Sequence, residues 1–213
     1  MLVYGMIATI FLFLSILLIL GLILRAFYLV IRRRWAGLGR TVAVLGIYLL
    51  VYGIILATVG MASPRRVLEP GQPECFDEWC AAALRLTPAE QDAVAICPAA
   101  GDEQVWVVTL EVSSQAKRVR QRELGIQAYL EDESGNRYAV CGQPQPDANG
   151  VLHGLSDALD PGDSFQVRLA YAVPQNAGLA GIVISHGLAP GKLIIGDDES
   201  LFHQETLLKA YIN

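Results

Sequence analysis

Two membrane-spanning α-helices followed by an all-β antiparallel sandwich is the architecture this sequence predicts, and three observations predict it. Residues 1 to 66 hold two long apolar runs without a charge. Those same residues carry seven Arg and no acid, whereas residues 67 to 213 carry all 21 acids against nine Lys and Arg. Beyond residue 73, apolar residues alternate with period two in short runs bounded by Gly and Pro. With 53% hydrophobic and 17% charged residues and a mean hydropathy of +0.40, the 213 residues are too apolar for one water-soluble domain or a disordered tail. The local charges of +7 and −12 exclude a nucleic-acid module, because the basic residues flank apolar runs and the larger part repels a phosphate backbone.

Leu2 to Leu24 is uncharged and ends at Arg25; as a helix it spans roughly 35 Å at ~1.5 Å per residue, enough to cross a bilayer. Thr41 to Pro64, between Arg40 and Arg65, is long enough as well. The first run lacks a positive start and a small-x-small cleavage site, so it reads as a retained helix rather than a signal peptide. Between the runs lie Arg25, Arg32, Arg33, Arg34 and Arg40, against only Arg65 and Arg66 beyond the second. The positive-inside rule then makes the connection cytoplasmic, with Arg32, Arg33, Arg34 and Arg40 as topology determinants and Phe27, Tyr28 and Trp35 at the headgroup level. The N-terminus and everything after Pro64 fall outside. The expected division is a membrane anchor over 1–66, with helices at about 2–31 and 41–63 and an Arg-rich loop over 32–40. A linker over 67–73 and an extracytoplasmic sandwich over 74–213 follow. No Asp, Glu, Lys or His interrupts either run, which leaves no intramembrane relay or ion site. Gly46, Gly53 and Gly60 share one helix face and could admit a neighbouring helix.

In the acidic part, Trp106, Val108, Leu110 and Val112 alternate with Thr109 and Glu111, and Phe165, Val167, Leu169, Tyr171 and Val173 alternate with Gln166 and Arg168. Each is a strand with one buried face. Leu124 to Leu130 and Asn136 to Cys141 flank an acidic turn in which Gly135 supplies positive φ, a hairpin signal. Leu179 to Ser185 and Lys192 to Ile195 are further strand candidates, Ala81 to Leu86 an opening one and Leu207 to Ile212 a closing one. Short strands at this spacing argue for an antiparallel sandwich.

Leu159-Asp-Pro-Gly-Asp-Ser164, followed by an alternating strand ending Tyr171-Ala-Val-Pro174, resembles the signature of the extracellular domain called domain of unknown function 4352. Leu130-Glu-Asp-Glu-Ser-Gly-Asn-Arg-Tyr138 is similar to that family's hairpin, and the likeness covers roughly residues 104 to 185. Cys75-Phe-Asp-Glu-Trp-Cys80 and the stretch from Ile195 to His203 also look like segments of bacterial anchored relatives. The resemblance implies an immunoglobulin-like fold and an envelope-exposed binding or structural module, here on two helices rather than a lipidated Cys.

All four cysteines, Cys75, Cys80, Cys97 and Cys141, lie in the part placed outside, where disulfides persist. Of three possible pairings, Cys75 with Cys80 and Cys97 with Cys141 is favoured: the first pair is close in sequence, and the second ties a pre-strand loop to the end of the hairpin. A redox pair is disfavoured, since Asp77 and Glu78 would raise the thiol pKa of Cys75 and Cys80. Zinc is disfavoured by spacing and compartment. His153, His186 and His203 are dispersed, and no nucleophile elbow is present. Asp197, Asp198 and Glu199, and separately Asp157, Asp160 and Asp163, could offer oxygens to calcium, but lack the loop pattern that Ca²⁺ requires. Lys117, Arg118, Arg120 and Arg122 form the basic cluster outside, a contact for anionic headgroups or a partner.

The expected function is therefore a non-catalytic envelope module in a bacterial-type cell membrane, without cofactor or metal. Its partners are the lipid bilayer and a protein or envelope polymer, not nucleic acid. The competing reading is a redox or metal-dependent envelope enzyme using Cys75 and Cys80 or a His and acid site.

Overall fold

The computed structural model describes residues 2–89, 97, 99–147, 149–186, 190–196 and 200–212. They divide into two units, one of Met1–Pro64 with Ala189–Gln204, the other of Arg65–Leu188 with Glu205–Asn213.

The first unit is built on two helices, α1 (Leu2–Ile31) and α2 (Trp35–Ala62). Both contain a stretch long and apolar enough to cross a membrane. They fold back on each other: Leu29 of α1 meets Gly37 near the connection, Tyr48 donates to Ser15 Oγ at 2.6 Å, and Phe11 stacks on Tyr52 with ring centroids 6.1 Å apart. The connection is shorter than the Arg-rich loop expected over 32–40. Arg33 takes a left-handed φ of +51°, and the Arg34 and Arg33 N–H groups bond the carbonyls of Leu29 and Val30. This satisfies the end of α1 within three residues, and the Leu38 N–H on the Arg34 carbonyl already starts α2. Arg40 therefore lies inside α2.

Of the glycines expected to admit a neighbouring helix, Gly46 and Gly53 face open space. Gly60 instead takes the backbone of 201–203, where an added Cβ would come 2.7 Å from the Leu201 carbonyl oxygen. Lys192 to Ile195, expected as a strand, continues from a 3₁₀ turn at Pro190–Leu193, and the Leu193 carbonyl accepts from Tyr52 at 2.5 Å. A backbone that spends its carbonyl on a helix side chain is not in a ladder.

The second unit is a two-layer β-sandwich. Its strands are β1 (Val67–Leu68), β2 (Pro73–Phe76), β3 (Trp79–Pro88), β4 (Glu103–Ser114), β5 (Gln127–Asp132), β6 (Arg137–Ala139), β7 (Ser164–Pro174), β8 (Leu179–Ser185), β9 (Leu207–Leu208) and β10 (Tyr211–Ile212). One sheet runs β1-β9-β8-β5-β6; the other runs β10-β3-β4-β7, with β2 also on β3. The long strands pair antiparallel, as their alternation predicts. Two edge pairs, β1 with β9 and β10 with β3, are parallel. These depart from a wholly antiparallel sandwich because the expected closing strand over 207–212 breaks in two. Leu207–Leu208 belongs to one sheet and Tyr211–Ile212 to the other, so the chain changes layers between them. Val67–Leu68, inside the expected linker, is the partner of β9.

Leu110, Val112, Val167, Leu169 and Tyr171 of one sheet meet Ala128, Leu130, Ile182, Ile184 and Leu208 of the other in a single core, with Trp79 fully buried among them. The acidic turn between β5 and β6 closes with Gly135 at φ +83°, a conformation a side chain resists. The core fills the inner faces, so what the domain offers to solvent is two outer faces and the loops at its ends.

Candidate functional site

On the outer face of the first sheet, Glu131 of β5 is buried, its side chain 5% exposed. Arg65, the first residue of the unit, grips it with both terminal nitrogens and donates from Nε to the Glu205 carbonyl at 2.9 Å. Arg137 of β6 donates from Nε to Glu131 at 3.1 Å and pairs through its other end with the Glu205 carboxylate. Four residues from three stretches of the sequence thus form a neutral alternation of two guanidinium groups and two carboxylates. Hydrogen bonds from Arg65 hold the Glu131 carboxyl below its ordinary range, overcoming the opposing effect of burial. Next to it, Asp132 accepts from the Asn136 amide (2.9 Å), the Tyr138 hydroxyl (2.8 Å) and the backbone N–H groups of Ser134 (2.9 Å) and Asn136 (2.8 Å). Those donors lower its pKa, and Asp132 in turn raises that of Tyr138. The charges of Arg65, Glu131, Arg137 and Glu205 are thus spent on holding the chain.

The outer face of the second sheet differs. Arg85 of β3 stands opposite Thr109 of β4, and Thr109 stands opposite Arg168 of β7, so the three form one row across three strands. The register slips between Ala83 and Arg85, a bulge that leaves Ala83 in the core and turns Arg85 out to solvent. Around the row is a cleft of ≈ 400 Å³ whose wall also includes Leu84, Thr87 and Gln166. Arg168 donates from one terminal nitrogen to the Pro146 carbonyl at 3.1 Å. Among the described residues, neither arginine has an acidic partner within 4 Å, and the side chains of Arg85, Thr109 and Gln166 make no hydrogen bond.

One end of this face is closed by an apolar patch. Cys97, Val105 and Ala170 are buried together there, with Cys141 and Ala172 packed on them. The Cys97–Cys141 disulfide, Cα atoms 5.3 Å apart, binds residue 97, between β3 and β4, to residue 141, just beyond β6. The Cys141 N–H bonds the Ala170 carbonyl and the Gln145 N–H that of Arg168, so 141–145 lines the free edge of β7 and steadies Arg168. The other disulfide joins Cys75 and Cys80, directly opposed in the β2–β3 hairpin with Cα atoms 4.0 Å apart.

The basic cluster lies between β4 and β5, at the end of the sandwich where β1 begins. Lys117, Arg118, Arg120 and Arg122 are exposed, as are Val119 and Leu124 among them. Arg120 lies 3.7 Å from Asp160, and Arg122 donates to the Ser156 carbonyl at 3.1 Å. The loop is tied down by Gln121, whose backbone exchanges two hydrogen bonds with Leu159 and whose amide donates to Glu78 at 2.6 Å.

The histidines are not brought together. His186 faces Glu123 at 3.3 Å and packs on Phe76; His153 stacks on Phe165 with Asp157 at 3.6 Å; His203 lies in the first unit. Asp157 accepts from the Gly154 N–H beside His153, the Asp163 N–H bonds the Asp160 carbonyl to close a turn, and the Asp160 carboxylate faces Arg120. Asp197, Asp198 and Glu199 lie outside the described residues. Among the described residues, no group of three or more His, Cys, Asp or Glu is placed to hold a metal ion.

Alternation in the sequence places Arg168 and Thr109 on outward strand faces but does not join them to Arg85, and it does not single out Glu131, Arg137 or Glu205. Alternation was the available signal; the neighbours across the sheet were not.

No family model matches the chain, and no curated protein sequence does. Solved structures similar to it include the secreted Mycobacterium tuberculosis protein MPT63, with 15% identity and a TM-score of 0.42 over 60% of this chain and 94% of that one. An uncharacterized β-sandwich protein from Clostridium difficile 630 shares 12% identity and a TM-score of 0.36 over 59% of this chain and 91% of its own. A conserved hypothetical protein from Bacillus anthracis shares 10% identity and a TM-score of 0.38, over 67% and 95%.

Proposed function

We propose that this chain is an envelope protein of a bacterial-type cell membrane, anchored by α1 and α2, whose sandwich is an extracytoplasmic, non-catalytic binding or structural module. The observation that carries the reading is the charge division. Five Arg gather at the connection of the two apolar helices, two follow α2, and every acid lies beyond. The N-terminus and the sandwich then share the outer side. Two disulfides in the sandwich suit an oxidising exterior.

The sandwich is of the immunoglobulin-like, domain of unknown function 4352 type in this reading, on the Leu159–Ser164 and Leu130–Tyr138 motifs. A protein or envelope polymer is its partner. Lys117 and Arg118, exposed in the connection between β4 and β5, add a contact to anionic headgroups. A non-catalytic role is supported by bridged cysteines and by histidines that each keep a separate neighbour.

External protease on intact spheroplasts tests the topology. Digestion of the sandwich there, with protection in inverted vesicles, is the expected result; the reverse pattern would overturn it.

A further inference from the structure

We propose that the cleft on the outer face of the β3-β4-β7 sheet binds a phosphate group, held between Arg85 and Arg168 above Thr109. The proposal rests on the cleft alone, so it stands or falls separately from the membrane topology.

Adjacent strands lie about 4.8 Å apart, which sets the two arginine Cα atoms roughly 10 Å apart with the threonine midway. Guanidinium groups on stems of that length can lean inward over the Thr109 hydroxyl from both sides. Each fork matches an oxyanion through paired N–H donors. A carboxylate is filled by one such fork. Two forks from opposite sides, a hydroxyl below and the Gln166 amide at the rim suit a tetrahedral group that offers oxygens in several directions.

Three features mark a prepared site. The bulge beside Ala83 swings Arg85 outward into the row, where an unbroken strand would have turned that position into the core. The Pro146 carbonyl and the 141–145 edge hold Arg168 with most of its donors unspent. The nearest acid along β4, Glu111, sits one outward position from Thr109 and pairs with neither arginine. The contrast with the net −12 of residues 67 to 213 is informative: two arginines flanking one threonine, without an acidic partner among the described residues, do not arise from a generally basic surface. That acidity opposes any anion at long range, and salt screens it within about 10 Å. Recognition therefore comes from the forks, not from bulk charge.

The test is isothermal titration of the full-length protein in neutral detergent with inorganic phosphate, with acetate as the planar comparison. Saturable phosphate binding, tighter than acetate, is expected. Arg85→Ala and Arg168→Ala should each weaken it about tenfold or more, and Arg85→Lys, which keeps charge but loses the fork, should weaken it as well. A Lys117→Ala, Arg118→Ala double variant should bind as the parent does. Absence of binding up to about 10 mM phosphate overturns the proposal. So does binding that survives both arginine substitutions with an unchanged near-UV dichroism spectrum, or that falls equally in the Lys117, Arg118 variant. Glycerol phosphate oligomers and phosphatidylglycerol vesicles, titrated in parallel, separate a polymer source from a lipid headgroup once phosphate itself binds.

Discussion

The two outer faces of the sandwich use the same residue types in opposite ways. On the β5-β6 side, Arg65 and Arg137 alternate with Glu131 and Glu205, and the buried carboxylate of Glu131 is satisfied from two directions. On the β3-β4-β7 side, Arg85 and Arg168 flank a threonine on a cleft, and among the described residues neither has an acidic partner within 4 Å. The first arrangement is what a charge needs in order to be buried; the second leaves donors open to whatever enters from solvent. One face therefore fastens the chain, and the other is available to recognise.

Breaking the fastenings should cost stability. Replacing Cys97 and Cys141 together by Ala removes the bridge that covers one end of the open face. In the chain-entropy account this costs about 4 kcal/mol, read by urea unfolding of the detergent-solubilised chain through the fluorescence of buried Trp79. Glu131→Ala should cost about 3 kcal/mol in the same assay, because it leaves two guanidinium groups facing each other without their carboxylate.

Acid sharpens the comparison. A carboxyl held low in the folded state contributes stability above its unfolded pKa of about 4.3, and that contribution is lost as pH falls through the lower folded value. Thermal melts from pH 6 downward should show stability falling below about pH 4, with the fall shallower in Glu131→Gln. The smallest effect belongs to the open face. Arg85→Ala should change stability by no more than about 0.5 kcal/mol, since the side chain is exposed and without partners among the described residues, while removing phosphate binding. A large loss of stability would show that Arg85 is a fastening after all.

Much of the fold could be read from the residues because its signals are local. Period-two alternation marked β4 and β7, and Leu179 to Ser185 is a strand over the very span that its composition suggested. An apolar run without charges specifies a long helix whatever surrounds it. Where local reading failed, the missing information was non-local. Val67–Leu68 is too short to announce itself and is a strand only because β9 lies beside it. Lys192 to Ile195 is apolar enough for a strand, yet its backbone is claimed by Tyr52, which is 141 positions away from Leu193.

The amino-acid sequence by itself thus determined two apolar helices, a β-rich acidic domain, and the turns at Gly135 and Asp160 to Asp163. All of these follow from hydrophobic period, charge and the φ preferences of Gly and Pro, which act within a few residues. Only the tertiary structure decided which charges meet. Arg65 reaches Glu131 because β1, β9 and β8 place them on one sheet face, and Arg85 lines up with Arg168 because a one-residue bulge sets the register of β3 on β4. Cross-strand neighbours are set by pairing and register, and without the one-residue shift in β3 Arg85 would turn to the opposite face.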